Sequence, residues 1–294
     1  MIDLAPVIVF VYNRPDHFRR TIDALRRNPE ASQTDLIVYS DGPKNKDDKK
    51  LVTAVRSIAS EIKGFKTVDI KERAENIGLA NSIIAGVSEQ LKMNNSVIVL
   101  EDDMVTSLNF LKFMNNNLKL YENENSVASI HAYCYPIANL PDVFFIQGAD
   151  CWGWATWRRA WDGFEPDGSK LLTELIRRKL KFQFNLMGSY NYIGMLKRQI
   201  AGVNDSWAIR WHASMFLLNK LTLYPGKSLI QNIGNDGSGT HFVQNDTSFN
   251  TLLKDNEVLV TKIPIRVSKK ATMSFVRFFY IRKASIIVRR ILGN

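Results

Sequence analysis

Ser96-Val97-Ile98-Val99-Leu100-Glu101-Asp102-Asp103 is the stretch whose reading decides the fold. A continuous apolar run that ends abruptly in charge is read as a strand covered on both faces, with its last residues emerging at the edge of a sheet. Working back towards the N-terminus, the same signature recurs at residues 7–11, 36–40 and 68–70. Helical spacing separates these runs. Asp16 opens a helix with Phe18, Ile22 and Leu25 on one face, an amphipathic helix is expected over 46–61, and another over 80–92. Alternating strands and helices imply an α/β protein with a mainly parallel, Rossmann-like sheet flanked by helices. In such sheets ligands bind beyond the carboxyl ends of the strands. The polar punctuation falls at those ends, at Asn13-Arg14, Asp41-Gly42 and Glu101-Asp102-Asp103. A Gly-x-Gly-x-x-Gly turn after the first strand is missing, which disfavours a dinucleotide cofactor.

Working forward, a helix is expected over 108–121 and short strands over 126–132 and 144–147, after which the composition changes. All six tryptophans lie between residues 152 and 211. We therefore divide the chain into residues 1–125, 126–260 and a tail, 261–294. The tail holds nine Lys or Arg and no acid, so the remainder is almost neutral although the whole chain carries +10. Its cations are interleaved with Phe, Ile and Val, the composition of a basic amphipathic helix lying on an anionic bilayer. The alternatives are a terminal helix docked on the body with its cations in solvent, or a nucleic-acid or partner site. We expect no nucleic acid.

Hydrophobic residues at 45% and charged residues at 23% are ordinary for a folded globular chain and exclude disorder. Cys134 and Cys151 form neither a metal-spacing motif nor a disulfide framework, which fits a reducing cytoplasm. The apolar run at 7–11 lacks a basic leader region and a cleavage site, and no window has the 18 or so apolar residues of a spanning helix. The expected place is thus cytoplasmic, peripheral at the inner face of the cytoplasmic membrane.

Adjacent carboxylates at the end of a buried strand repel each other unless a cation or proton neutralises them. Mg²⁺ or Mn²⁺ suits such a site, since each accepts one or two carboxylates plus phosphate oxygens. The plainer reading is a solvated turn. Val203-Asn204-Asp205-Ser206-Trp207 offers Asp205 either as a general base or as the cap of the following helix. The glycine-rich loop from Asn232 to His241 lets backbone approach phosphate closely, with His241 as a further metal ligand or diphosphate contact. His131 and His212 are read as structural. Trp154, Trp157 and Trp161 sit at helical spacing; Trp157 and Trp161 are read as core, leaving Trp152 or Trp154 to line a sugar pocket.

Taken in order, Asn13-Arg14-Pro15, Ser40-Asp41-Gly42, Arg73 with Asn76-Ile77-Gly78, and Glu101-Asp102-Asp103 resemble the nucleotide-sugar glycosyltransferases of the A-type (GT-A) fold. The resemblance spans about residues 5–245 and is nearest to the N-acetylglucosaminyltransferase branch and to bacterial polysaccharide glycosyltransferases. It implies a nucleotide-sugar-binding part over 1–125 and a smaller acceptor-binding and catalytic part over 126–260. It also implies that Asp103 holds the metal, with His241 as a second contact, while Asp102 meets the donor ribose or sugar and Glu101 the transferred sugar. Asp41 would accept from the nucleobase edge, Asn13, Arg14, Arg73 and Asn76 would lie near the nucleotide, and Asp205 would be the base of an inverting transfer. Surface ion pairing is the plainer reading of Arg14 and Arg73. The activity expected is metal-dependent transfer from a UDP-sugar to a lipid-linked or polysaccharide acceptor. A nucleotidyltransferase acting on a sugar phosphate shares the sheet and the acid-bound metal, but it would want a glycine-rich, basic loop after the first strand. A non-catalytic carbohydrate- or membrane-binding protein is the third reading.

Overall fold

The computed structural model describes residues 4–234, 236, 247–253 and 260–291, with side chains as far as residue 288. The first half follows the expected alternation: β1 (Val7–Val11), α1 (Pro15–Arg26), β2 (Asp35–Ser40), α2 (Lys46–Ser60), β3 (Thr67–Glu72), α3 (Leu79–Met93) and β4 (Ser96–Glu101). Local chemistry sets the helix starts. Pro15 occupies the first turn of α1, where its missing N–H costs nothing, and Asn45 caps α2 by accepting from the Asp48 backbone N–H. All pairings among these four strands are parallel, with Val9 facing Val38 on one side and Leu100 on the other.

The second half adds β5 (Met104–Thr106), α4 (Phe110–Leu120), β6 (Val127–His131), β7 (Val143–Gln147), β8 (Trp154–Trp157), α5 (Arg158–Trp161), α6 (Gly168–Arg177) and α7 (Lys181–Phe184). It continues with α8 (Tyr192–Ile200), α9 (Trp207–Leu217), β9 (Leu221–Pro225), β10 (Ile230–Asn232) and α10 (Lys269–Ile291). One eight-stranded sheet runs in the order β3-β2-β1-β4-β8-β6-β9-β7, and β5 and β10 form a small antiparallel ladder beside it. The sheet is continuous across the compositional change, because β8 pairs with β4 on one side and β6 on the other. The chain moves outwards from β1 to β3 and then returns to the other side of β1 as β4. That reversal opens a crevice at the carboxyl ends of β1 and β4, where Arg14 and the acidic turn stand.

Period-two alternation divides the sheet between two cores. Val7, Val9, Val11, Ile98 and Leu100 pack under α1, α2 and α4, whereas Ile8, Phe10, Val97 and Val99 pack under α3 and α9. The tryptophans correct one expectation. Trp154 and Trp157 are the two ends of strand β8, not successive turns of a helix, and only Trp161 is helical. A separation of three residues marks one side of a helix but opposite faces of a strand, so Trp154 enters one core and Trp157 the other. Trp157 and Trp161 are buried as expected, and Trp154, at 1% exposure, packs on Trp207 with 5.2 Å between ring centroids.

α10 divides into two halves. Ala271, Phe275, Val276 and Phe279 are buried against the body, but Ile281, Ile287 and Val288 are about half exposed beyond it. The docked alternative for the tail therefore describes the first half of the helix. No helix among the described residues is long and apolar enough to cross a membrane.

Candidate active site

Beyond the last residue of β4 the chain turns, burying Asp102 and Asp103 to 4% and 7% exposure. Two ionised carboxylates cannot be left there unpaired. Arg14, just past β1, answers them: its Nη2 donates to Asp102 Oδ1 and, at 2.9 Å, to Asp103 Oδ2. Burial works against the guanidinium charge, but the charges of Asp102 and Asp103 outweigh it and hold its pKa above the ordinary arginine value. Arg14 is thus not a surface ion pair; it is the counter-charge of the acidic turn, and its buried Nη1 has no hydrogen-bond partner among the described residues. Burial lifts the Asp102 carboxyl well above the usual range in spite of Arg14, with Asp103 adding to the rise. Glu101 is raised by burial first and then by the charges of Asp103 and Asp102.

The loop after β10 closes over this turn. The Ile233 N–H donates to the Asp103 carbonyl at 2.9 Å, and the Gly234 N–H to Asn232 Oδ1 at 2.8 Å. A Cβ on Gly234 would lie 2.1 Å from Asp103 Oδ2, so only glycine lets the backbone pass there. Asp103 Oδ1 is buried and has no hydrogen-bond partner among the described residues. An orphaned carboxylate oxygen facing a cavity fits a divalent cation that takes its other ligands from phosphate and water. Among the described residues no three His, Cys, Asp or Glu side chains cluster into a protein cage. His241 and most of the loop expected to approach phosphate lie outside the described residues.

A cavity of about 470 Å³ extends from the turn. Arg14, Glu101, Asp103 and Gly234 line it, as do Asn204, Asp205 and Ser206. The Asp205 side chain is 63% exposed and 3.8 Å from Arg210. It does not cap α9: Ser206 does, its Oγ accepting from the Ile209 N–H at 3.3 Å. The carboxylate is therefore left over for the cavity. Trp152 lines this space, whereas the buried Trp154 does not.

The remaining expected residues stand outside the cavity, around the ends of β2 and β3. Both oxygens of the buried Asp41 are engaged by backbone N–H groups, Oδ1 by Gly42 and Ile77 and Oδ2 by Gly78, at 3.0–3.1 Å. Gly78 holds φ at +81°, which a side chain would resist. The Asn76 amide donates to the Gly42 carbonyl at 2.8 Å, so Asp41 and Asn76 tie two loops together. Asn13 donates to Asp48 at 2.9 Å, and Arg73 lies over the Tyr39 ring at 5.9 Å.

Sequence reasoning missed another part of the cavity lining, Asp150 with Tyr133, Tyr135, Tyr190, Tyr192 and Arg198. Asp150 Oδ1 accepts from the Cys151 N–H at 2.9 Å and Oδ2 from the Tyr224 hydroxyl at 3.2 Å. Burial pushes the Tyr135, Tyr192 and Tyr224 phenols well above their ordinary range, keeping them neutral donors. His131 lies 3.9 Å from Asp150, fully buried. His212 is anchored through Nδ1 to the Ala149 carbonyl at 2.7 Å and also borders the cavity. The one signal in the sequence was Gly148-Ala149-Asp150, a polar break between a strand and the tryptophan-rich segment.

No protein-family model and no curated protein matches the chain. Among solved structures it is similar to the mannosyltransferase PcManGT from Pyrobaculum calidifontis in complex with GDP-Man and Mn²⁺, at 17% identity and a TM-score of 0.33 over 46% of this chain and 39% of that one. It is also similar to S. aureus TarS 1–349, at 11% identity and a TM-score of 0.35 over 53% and 47% of the two chains. A third likeness is to a cytidylyltransferase from Leptospira borgpetersenii, at 9% identity and a TM-score of 0.34 over 56% and 64%. The chain covers less than two thirds of each of these chains.

Proposed function

We propose that this chain is a metal-assisted, inverting glycosyltransferase of the A-type fold, moving a sugar from a UDP-sugar to a glycan or glycolipid acceptor. One observation carries the reading: a single cavity is lined both by Asp103, with its orphaned oxygen, and by the uncommitted Asp205. Mn²⁺ or Mg²⁺ held by Asp103, with His241 as a second ligand, would supply positive charge for the departing diphosphate. Asp102 stays paired to Arg14 in the crevice, on the ribose side, and the Arg14 fork is placed to share its donors with phosphate oxygens. Glu101, whose pKa burial raises, would hydrogen-bond a hydroxyl of the transferred sugar. Asp205 accepts the proton of the acceptor hydroxyl as that oxygen attacks the anomeric carbon opposite the diphosphate, which inverts the centre. Asp41 and Asn76 act by fixing the loops that border the nucleoside, with Asn13 and Arg73 beside them.

The second half of α10, with exposed Ile281, Ile287 and Val288 among cations, supports a peripheral place on an anionic membrane surface. The experiment is calorimetric titration of UDP, GDP, CDP and dTDP, with and without Mn²⁺, into the wild-type chain and Asp103→Ala. Mn²⁺-dependent binding of UDP that weakens at least about a hundredfold in the variant is expected. Metal-independent binding, or none, would overturn the reading.

A further inference from the structure

Behind the candidate active site lies a second cavity, of about 200 Å³, that the proposed reaction does not use. Its wall is mostly apolar: Ile146 of β7, Phe184 of α7, Phe216 of α9 and Phe275 of α10, with Met187 at the rim. The two cavities meet along Tyr135, Ala149, Asp150, Tyr192 and His212, each of which lines both. A ligand bridging them would cross Asp150, whose oxygens already accept from Cys151 and Tyr224 and suit hydroxyl groups better than phosphate.

The rim of this second cavity is strained and clamped. Leu186 and Met187 hold φ at +50° and +54°, a left-handed conformation that long side chains rarely adopt unless their surroundings impose it. The constraint comes from α10, where the Tyr280 hydroxyl donates to the Met187 carbonyl at 2.8 Å. Thr272 and Phe275, one turn apart on the same helix, line the cavity itself. One helix therefore lines the apolar cavity with its docked half and leaves Ile281, Ile286, Ile287 and Val288 exposed along its second half. These exposed apolar side chains follow directly on Tyr280, which bonds the Met187 rim of the cavity.

We infer that the second cavity is a binding site for the hydrocarbon segment of an amphiphilic acceptor, whose neutral, hydroxyl-bearing head crosses Asp150 into the larger cavity. The identity of the head as a glycosyl acceptor rests on the function proposed above; the hydrocarbon site does not. The test is calorimetry with methyl, butyl, hexyl and octyl β-glucosides below micelle formation, on the full chain and on Thr272→Trp, which places an indole in the cavity. Wild-type affinity should rise by about fourfold per added methylene until the cavity is full, and Thr272→Trp should flatten that rise. Gln183→Trp, approaching from α7, serves if the first variant fails to melt cooperatively. Affinity independent of chain length, or a rise that both folded variants retain, would overturn the inference. A rise abolished by the indole in a chain that binds no UDP would uphold the hydrocarbon site and reject the transferase reading; UDP binding without any chain-length dependence would do the reverse.

Discussion

Two carboxylate groups line the larger cavity, each beyond the carboxyl end of a strand, one buried and one partly exposed, and they are neutralised by different means. After β4, Asp102 and Asp103 face a full counter-charge in Arg14. After β7, Asp150 accepts its hydrogen bonds from neutral donors, a backbone N–H and a phenol. The difference decides what each group can exchange. A charge pair can trade its guanidinium contacts for another cation and a phosphate, because ionic partners of similar strength replace each other. A carboxylate held by neutral groups would be overcharged by a phosphate and is matched instead by hydroxyls. Under the proposed function, the first group would meet the donor and the second the acceptor.

The largest effect is expected where the charge pair is broken. Arg14→Ala leaves Asp102 and Asp103 buried without a counter-charge, and removing one member of a buried pair costs about 3–5 kcal/mol. Arg14 retains 19% side-chain exposure, so about 3–4 kcal/mol is expected in denaturant unfolding. The informative part is the rescue. Added Mn²⁺ should raise the melting temperature of Arg14→Ala more than that of the wild type, since the cation takes over the missing charge. Equal shifts in the two proteins would dissolve the contrast between the groups.

Acid should act around the two groups with opposite signs. Glu101 and Asp102, lifted by burial, are better accommodated protonated, so their contribution is lost as pH rises through their raised folded pKa and regained as pH falls. His131, beside Asp150, is the reverse case: burial lowers it from 6.5 to about 4, the nearby Asp150 charge opposing this only in part. A base with a depressed folded pKa contributes stability above its unfolded value that is lost as pH falls from there towards the folded value. Over that window the loss amounts to about 3 kcal/mol. Urea unfolding at a series of pH values should show His131→Phe losing less stability in acid than the wild type, by about that amount. Parallel curves for the two proteins would mean that His131 is not held neutral.

How much of this was legible in the sequence follows from the range of the interactions. The four parallel strands and their helices are local patterns, and Val97-Ile98-Val99-Leu100 or Phe18, Ile22 and Leu25 declare their element without help. The Arg14 group was half legible: its residues follow strands at the crevice, but a chain pattern does not show that the neutralising charge is Arg14 itself. Asp41 follows its strand as expected, but its bonds there were unforeseen, because backbone N–H groups from Ile77 and Gly78 give no signal in composition. The Asp150 group was nearly silent. Its partners His131, Tyr135, Tyr192 and Tyr224 come from four separate elements or loops, brought together only by the order β6-β9-β7 and by α8. Trp154 and Trp157 misled for a related reason, since a spacing of three fits a helix turn and the two faces of a strand equally well.

The smallest expected effect tests the Asp150 group most directly. Asp150→Asn keeps the shape, keeps an oxygen for the Cys151 N–H and removes the charge, so folding should change little. A hydrogen bond from a hydroxyl to a charged acceptor is worth about 1.5–3 kcal/mol, and the asparagine retains part of it. The acceptor KM should therefore rise about tenfold, with UDP binding in Mn²⁺ unaltered, because Asp150 bonds Cys151 and Tyr224 whereas Asp103 bonds Arg14. Initial rates over acceptor concentration give the first quantity and calorimetry the second. If donor affinity fell together with acceptor affinity, the two groups would be one coupled site, and the division drawn from their different partners would be wrong.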